Sequence, residues 1–462
     1  MLGGTLQVSL STLDISKVLD ICKEYQHRVF KKDYIIDVLA FCCCDKTFRK
    51  SAYDLVASVC TIPTNLFMFI SKYEEWHNKV HSSTGWNKAH KRFVKNWYLS
   101  KTPSNLAYLI TKYKNRNEWT HKDVLKLAHI NPCNQHTHEA LFAYITKDFN
   151  AFSTKINQED QVYEYIKGYE AVKRVSCDPE TAIALIRKHK FAHEHVNSAL
   201  LKNIEVWNAL IEHIPPIALL RNLNRECNVD ITQKILDIKG VHPLQILIAI
   251  KQYNTGRGFS NKDKTWTPKP EILDALNKAF KKAFDNVKTT NKRYLLALDV
   301  SSSMTCATVS GIRNMMASEV ATAMAMVFVL KEPNCDIMGF AHEFKKLEIS
   351  PDKSLQDNMQ TVYDLTFGAT DASLPFTWAM QNEKQYDVVI VITDSETNCH
   401  KEEPSVVLRR YREMFKLETK LVVIATSSNE VSIANPNDPN MLDIAGFDVD
   451  TPNVVAEFVK GF

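Results

Sequence analysis

Apolar residues recur at three- and four-residue intervals through most of residues 1–290, a stretch that holds only seven glycines. That is the period of helices with one face against a core. Two segments are near copies at an offset of 40 residues: Pro63-Thr64-Asn65-Leu66 to Ile70-Ser71-Lys72-Tyr73, and Pro103-Ser104-Asn105-Leu106 to Ile110-Thr111-Lys112-Tyr113. Looser echoes begin at Pro179 and Pro243, each with an isoleucine seven positions on and a basic residue eight on. Proline suits the first helical turn, where its missing N–H removes no bond. A helix-pair period near 40 predicts HEAT-like repeats that stack on one another and curve. An irregular helical bundle is the alternative.

Asn254 to Lys264 is rich in Gly, Asn and Lys and reads as a loop, and Pro270 then opens a helix with Ile272, Leu276, Ala279, Phe280 and Phe284 on one face. Asp285 to Lys292 is polar and reads as a linker. Beyond it the pattern changes. Tyr294–Val300, Cys335–Ala341, Val388–Thr393 and Leu421–Ala425 are short apolar runs separated by helical segments, among them Gly311 to Leu330. Buried strands alternating with helices predict a parallel sheet covered on both faces. The chain therefore divides into a helical-repeat domain, residues 1–285, and a doubly wound α/β domain, residues 286–462.

Charge sharpens this division. The net +4 of the whole chain separates into +13 for residues 1–290 and −9 for residues 291–462. A basic half of this size suggests a polyanion partner, against the plainer reading of solvated helix faces. No apolar run reaches the length of a membrane span and no secretory signal opens the sequence. The eleven cysteines form no CxxC pair, which predicts free, mostly buried thiols in a reducing compartment, cytoplasmic or nuclear.

Asp299-Val300-Ser301-Ser302-Ser303 follows the first α/β strand directly. Ligands of such sheets gather beyond the carboxyl ends of strands. Alternating Asp, Ser and Ser there can aim several oxygens to one side, and hard cations such as Mg²⁺ take oxygen ligands with few carboxylates. Gly368-Ala369-Thr370-Asp371 offers a further hydroxyl, and Asp394 ends the strand Val388–Thr393. Together these resemble the metal-ion-dependent adhesion site of von Willebrand factor A domains. That resemblance implies Ser301, Ser303 and Thr370 as direct ligands, with Asp299 and Asp394 behind them. The alternative is a loop without an ion, its Asp and Ser capping the next helix. No general base stands beside the site in sequence, and the His342-Glu343 pair alone implies no hydrolysis.

The repeat domain carries the second candidate site. Thr120-His121-Lys122-Asp123 reads as a capping box, with Val124, Leu127 and Ala128 facing the core and Lys122, Lys126 and His129 facing out. In the preceding helix Leu106, Leu109, Ile110 and Tyr113 face inward, and Lys112 and Arg116 share the outer face, with Lys114 between them and Trp119 between the two helices. Upstream, Lys88, His90, Lys91, Arg92 and Lys95 crowd one segment. Lysine and arginine meet phosphates, and His, Trp and Tyr rings can stack on unpaired bases. The candidate nucleic-acid contacts are Lys88, Lys91, Arg92, Lys112, Lys114, Arg116, His121, Lys122, Lys126 and His129. Each taken singly reads more readily as a solvated or core side chain, and only the cluster as a whole favours nucleic acid.

The string TKYKNRNEWTHKDVLKLAHI, Thr111 to Ile130, closely resembles the TROVE module of the Ro ribonucleoprotein family. So do VCTIPTNLFMFI from Val59, HPLQILIAI from His242, LLALDVSSSM from Leu295 and GATDASLP from Gly368, in the same order. The resemblance implies a ring of HEAT-like helices with a von Willebrand factor A-like domain. It implies an RNA-binding protein, not an enzyme, that takes Y RNAs on a basic outer face and the 3′ ends of misfolded small RNAs, such as pre-5S rRNA, in the ring. It further implies a monomer that acts in small-RNA quality control. Lys112, Arg116 and His129 match positions of the family's Y RNA surface, with Lys122 and Lys126 beside them. There are two departures. The chain begins about where the first repeats start, without the N-terminal segment of animal members that helps close the ring. Glu118 stands where the family usually has glycine, and a carboxylate there should weaken RNA binding modestly.

The competing function is a protein-interaction scaffold, in which the A-like domain captures a partner's carboxylate through Mg²⁺. The excess positive charge on the repeats favours RNA, because a pure scaffold does not need it.

Overall fold

The computed structural model describes residues 15–25, 32–83, 85–132, 135–258, 264–285, 287, 289–306, 315–363, 365, 370–394, 402–426, 433–435, 437–445 and 451–461. They pack as two compact units. One runs to Leu219 and takes in Arg225–Asp230; the other holds Leu220–Asn224 and everything from Ile231.

The first unit is built of helices, among them Asp33–Cys42, Arg49–Val59, Pro63–His81, Lys88–Leu99, Pro103–Lys112, His121–Ala128, His136–Thr146 and Gln161–Arg174. Both near-copies start as their prolines predict. Ile62 and Thr102 are extended, and Pro63 and Pro103 begin the helices that follow. The 40-residue offset is also kept in the packing. Tyr53 and Phe93 stack with ring centroids 5.2 Å apart, joining helices Arg49–Val59 and Lys88–Leu99. Trp97 Nε1 donates to the Cys60 carbonyl at 2.5 Å. Phe67, Phe69, Ile70, Tyr73, Tyr98, Leu106 and Ile110 fill the core, and each such side chain contributes roughly 2–3 kcal/mol. Cys42, Cys43, Cys44 and Cys60 are free and buried in the same core. Burial pushes the Cys42 and Cys44 thiols up to about 12, so they stay protonated and unreactive.

The second unit is a six-stranded sheet with helices. Numbered after the two short strands of the first unit, β1 (Asn115–Arg116) and β2 (Trp119–Thr120), its strands are β3 (Tyr294–Asp299), β4 (Cys335–Phe340), β5 (Phe344–Lys346), β6 (Val388–Thr393), β7 (Lys420–Ala425) and β8 (Met441–Ala445), in the order β5-β4-β3-β6-β7-β8. All pairs are parallel except β4 with β5. Every residue of β3 and β6 is buried, as central parallel strands require. Helix Ala317–Lys331 is buried along nearly all of its length from Ala317 to Phe328, with only Glu319 part-exposed, which explains its mostly apolar sequence. Residues 311–314, also expected to be helical, lie outside the described residues. Helices Thr232–Leu236, Pro243–Asn254 and Pro270–Lys282 pack within this unit. Lys251 Nζ lies 2.6 Å from Glu319 Oε2, tying helix Pro243–Asn254 to helix Ala317–Lys331. No helix among the described residues is long and apolar enough to cross a membrane.

Candidate nucleic-acid interface and metal centre

Helix Pro103–Lys112 ends earlier than its periodicity suggests. Tyr113 leaves the helical region at φ −108°, ψ 84°. The chain then forms a small hairpin, β1 (Asn115–Arg116) against β2 (Trp119–Thr120), with Arg116 opposite Trp119. Arg116 therefore sits on a strand and not on the outer face of a helix. Asn117 and Glu118 make the turn at φ 48° and 65°. Two-residue hairpins of the primed kind demand positive φ at both central positions, and Asn-Gly meets that demand best. Glu118 thus holds a left-handed conformation that a Cβ disfavours.

Thr120 and Asp123 form the expected capping box: Asp123 N donates to Thr120 Oγ1 at 3.3 Å, and Thr120 N to Asp123 Oδ2 at 3.2 Å. In the helix they start, Lys122 and Lys126 face out. The inward stripe is His121, Val124, Leu125 and Ala128. Leu127, expected inside, is 44 % exposed. His129 is exposed, but it lies past the helix end as a left-handed cap at φ 49°, not on the outer helical face.

His121 requires the largest correction. It does not stand on the surface as a contact. Its ring is 4 % exposed, accepts from Tyr98 Oη at 2.7 Å through Nδ1, and donates to the Tyr113 carbonyl at 2.9 Å through Nε2. The carbonyl can only accept, which fixes the tautomer. Burial lowers its pKa to about 4, although the Tyr113 carbonyl acts against that shift. His121 is a neutral brace beneath the hairpin. Its place on the stripe with Val124, Leu125 and Ala128, at i+3, i+4 and i+7, was the signal for burial.

The remaining cations lie around the hairpin or one helix upstream. Lys114 and Arg116 are exposed. Lys112 is half-buried, with Nζ 3.0 Å from Tyr108 Oη and 5.3 Å from the ring centroids of Tyr108 and Tyr113. Burial opposes its charge, but the Tyr108 hydroxyl, Tyr113 and Glu194 outweigh that and raise its pKa. Lys114 Nζ stands 5.7 Å from the Tyr169 ring. Tyr108 lies one turn before Lys112, a spacing that brings the two side chains together. Lys88 and Arg92 are exposed and Lys91 partly so on helix Lys88–Leu99, capped by Asn87. Trp86, just before that helix, packs 5.7 Å from Trp119 of the hairpin.

In the second unit, Asp299 ends β3 and Asp394 follows β6, the neighbouring strand. Asp371 N donates to the Ala341 carbonyl at 3.0 Å, which brings the Thr370 loop beside the end of β4. The three sequence elements thus meet at the carboxyl ends of β4, β3 and β6. Asp299 Oδ1 accepts from Ser301 N at 2.9 Å and Oδ2 from Thr393 Oγ1 at 2.6 Å. Ser301 Oγ and Ser303 Oγ are 2.9 Å apart. Asp299, Ser301, Thr370 and Asp394 are buried, and Ser303 is half-buried. Burial raises Asp299 to about 6 and repulsion from Asp394 adds to it, outweighing the Ser301 and Thr393 hydrogen bonds. Among the described residues no group of three or more His, Cys, Asp or Glu could hold a metal. A cation here would rest on hydroxyls with two carboxylates, a donor set that fits Mg²⁺.

Comparison with known proteins places both units. Residues 14–245 match the TROVE domain, and residues 293–459 match the Ro60 vWA domain. A Caenorhabditis elegans protein named RNA-binding protein RO60 is 32% identical, across 90% of this chain and 73% of that protein. A Deinococcus radiodurans protein of the same name is 32% identical, across 89% of this chain and 78% of that protein. The crystal structure of the Deinococcus radiodurans RO (RSR) protein superposes with a TM-score of 0.72 at 30% identity, covering 97% of this chain and 90% of that one. On these matches, and on the order of its two domains, the chain belongs to the Ro60 family of TROVE–vWA proteins.

Proposed function

We propose that this protein binds small non-coding RNA through the hairpin surface of its TROVE domain. The observation that carries the reading is the exposed cationic group Lys114, Arg116, Lys122 and Lys126, with Lys112 and His129 beside it. Relatives named RNA-binding protein RO60 share most of the chain. The family resemblance supports Y RNAs on this face, and the 3′ ends of misfolded RNAs such as pre-5S rRNA as a second class of ligand. Both fit a role in small-RNA quality control.

A gel-shift titration with a stem-loop RNA carrying a single-stranded 3′ tail tests this. Wild type should bind with an affinity that falls steeply with salt. The Lys112→Ala/Arg116→Ala/His129→Ser variant should lose most of that affinity with its fold intact. Absence of wild-type binding would defeat the reading.

Glu118→Gly should act in the opposite direction. Glycine removes the left-handed penalty, roughly 1 kcal/mol, and deletes a carboxylate from a phosphate-binding face. A higher melting temperature together with tighter, still salt-sensitive RNA binding is the expected pair of results. Lower stability would show that the Glu118 side chain makes a contact worth more than the strain.

In the vWA domain, Ser301, Ser303 and Thr370 would hold Mg²⁺, backed by Asp299 and Asp394, and an open position on the ion would accept a partner's carboxylate. The adjacent hydroxyls of Ser301 and Ser303 favour this second activity. Calorimetric titration with Mg²⁺ should show binding in wild type and none in Ser301→Ala/Ser303→Ala. EDTA should leave RNA affinity unchanged, because the two sites lie in separate units.

A further inference from the structure

A second cationic site lies away from the hairpin, in a cleft of about 550 Å³ between the outer faces of helices Arg49–Val59 and Lys88–Leu99. Arg49, Lys50, Arg92 and Lys101, with Lys46 just before the first helix, surround it, against the single acid Asp54. Lys46, Lys50 and Arg92 have neither an ion pair nor a side-chain hydrogen bond among the described residues. Arg49 is held in place from below, with Nε donating to the Cys43 carbonyl at 3.2 Å and Nη2 to the Cys44 carbonyl at 3.4 Å. That leaves the rest of its guanidinium for a ligand. Lys101 Nζ stands 4.9 Å from the Trp97 ring centroid. Tyr53, Phe93 and Trp97 form the floor, while Asn96 and Ser100 are exposed along one wall.

Cations gathered without counter-ions at a concave site repel one another, and an anion relieves that repulsion. The cleft is of the size that takes a small ligand, well above the space one phosphate needs. An aromatic floor with amide and hydroxyl donors on the wall suits a nucleotide better than an acidic peptide. Helix Lys88–Leu99, which lines the cleft, is also tied to the hairpin, since the segment leading into it carries Trp86, packed on Trp119.

We infer that this cleft binds a short phosphodiester stretch of the RNA held at the hairpin, as a second anchoring point formed by Lys46, Arg49, Lys50, Arg92 and Lys101. The inference rests on the RNA-binding reading above.

Full-length protein, the tailed stem-loop RNA substituted with 4-thiouridine, and inorganic tripolyphosphate as a free-anion probe test it. Photocrosslinks should map to the segments around Lys50 and Arg92 as well as to the hairpin. Lys50→Ala/Arg92→Ala should fold with an unchanged melting temperature, because both side chains are exposed and unpaired. It should lower the slope of log affinity against log salt by about two. If this variant keeps the wild-type slope while the Lys112/Arg116/His129 variant loses binding, the cleft assignment is wrong and the hairpin reading stands. If tripolyphosphate binding depends on Lys50 and Arg92 but RNA binding does not, the cleft serves a small anion and the assignment is again overturned. If wild type binds no RNA, both readings fall together.

Discussion

Between pH 7 and pH 5 the TROVE unit will lose on the order of 5 kcal/mol of stability, enough to bring a typical domain close to unfolding. Three buried histidines are the cause. His90, His121 and His195 are at most 4 % exposed, and burial lowers their pKa values to about 3, about 4 and about 4 from an ordinary 6.5. His90 stacks on Tyr73 with centroids 3.9 Å apart, accepts from or donates to Tyr53 Oη at 3.2 Å, and buries Nε2 without a partner. A proton there would create an uncompensated interior charge. His195 meets Thr111 Oγ1 at 3.1 Å and the Ala192 amide at 3.0 Å. Lys112 and Lys114 nearby disfavour its cationic form further.

The sign follows from proton counting. Below pH 6.5 the unfolded chain protonates these rings and the folded chain does not, so stability falls as pH drops, until each folded pKa is reached. Each group loses about 1.4 kcal/mol per pH unit across that window. His138, His189 and His193 are shifted in the same direction by burial and add to the trend. The paired carboxylates Glu75 and Glu170 are held below their usual range and act mainly below pH 4.5, so the window from 6.5 to 4.5 isolates the histidines. Urea denaturation followed at peptide resolution by hydrogen exchange, in half-unit steps, should show this slope in helices Lys88–Leu99 and His121–Ala128. His90→Phe should remove one proton from it. A slope that His90→Phe leaves unchanged would mean that His90 is already charged in the fold.

These histidines also show where reading the sequence succeeds and where it stops. Periodicity located most of the helices and four of the six sheet strands. It missed β5 (FKK) and β8 (MLDIA), because short or polar edge strands lack the apolar run that marks a buried one. Asp299 and Asp394 could be placed from the sequence because each adjoins a strand end and the sheet order sets those two ends side by side, whereas Thr370, before helix Leu374–Gln381, adjoins no strand in the sequence. Cation positions on the hairpin were legible only as a group. The pattern that makes Lys122 and Lys126 outward also makes His121 inward, yet the chemistry of an imidazole beside lysines suggested a contact. Glu118 shows the reverse case: its departure from glycine was visible in the sequence, but the backbone reason for glycine required the turn itself.

His121→Ala should cost about 3–4 kcal/mol of TROVE-unit stability while altering no phosphate contact directly. The substitution leaves the Tyr98 hydroxyl, fully buried, and the Tyr113 carbonyl without their partner, and it opens a cavity beside Phe67, whose ring lies 4.9 Å from the imidazole. Tyr113 follows the helix that carries Lys112 and precedes the hairpin that carries Arg116, so loosening the brace also loosens the cationic group. RNA affinity should therefore fall with the fraction unfolded, and recover on cooling or in a stabilising osmolyte. His129→Ser should do the opposite, lowering RNA affinity with little change in the urea midpoint. A double-mutant cycle resolves the brace itself. Tyr98→Phe together with His121→Leu removes both members of the buried hydrogen bond, and the pair should be less damaging than the sum of the single changes. If His121→Ala keeps wild-type stability and still loses RNA, the ring is a direct contact after all, and the buried position described for it is not the one that binds.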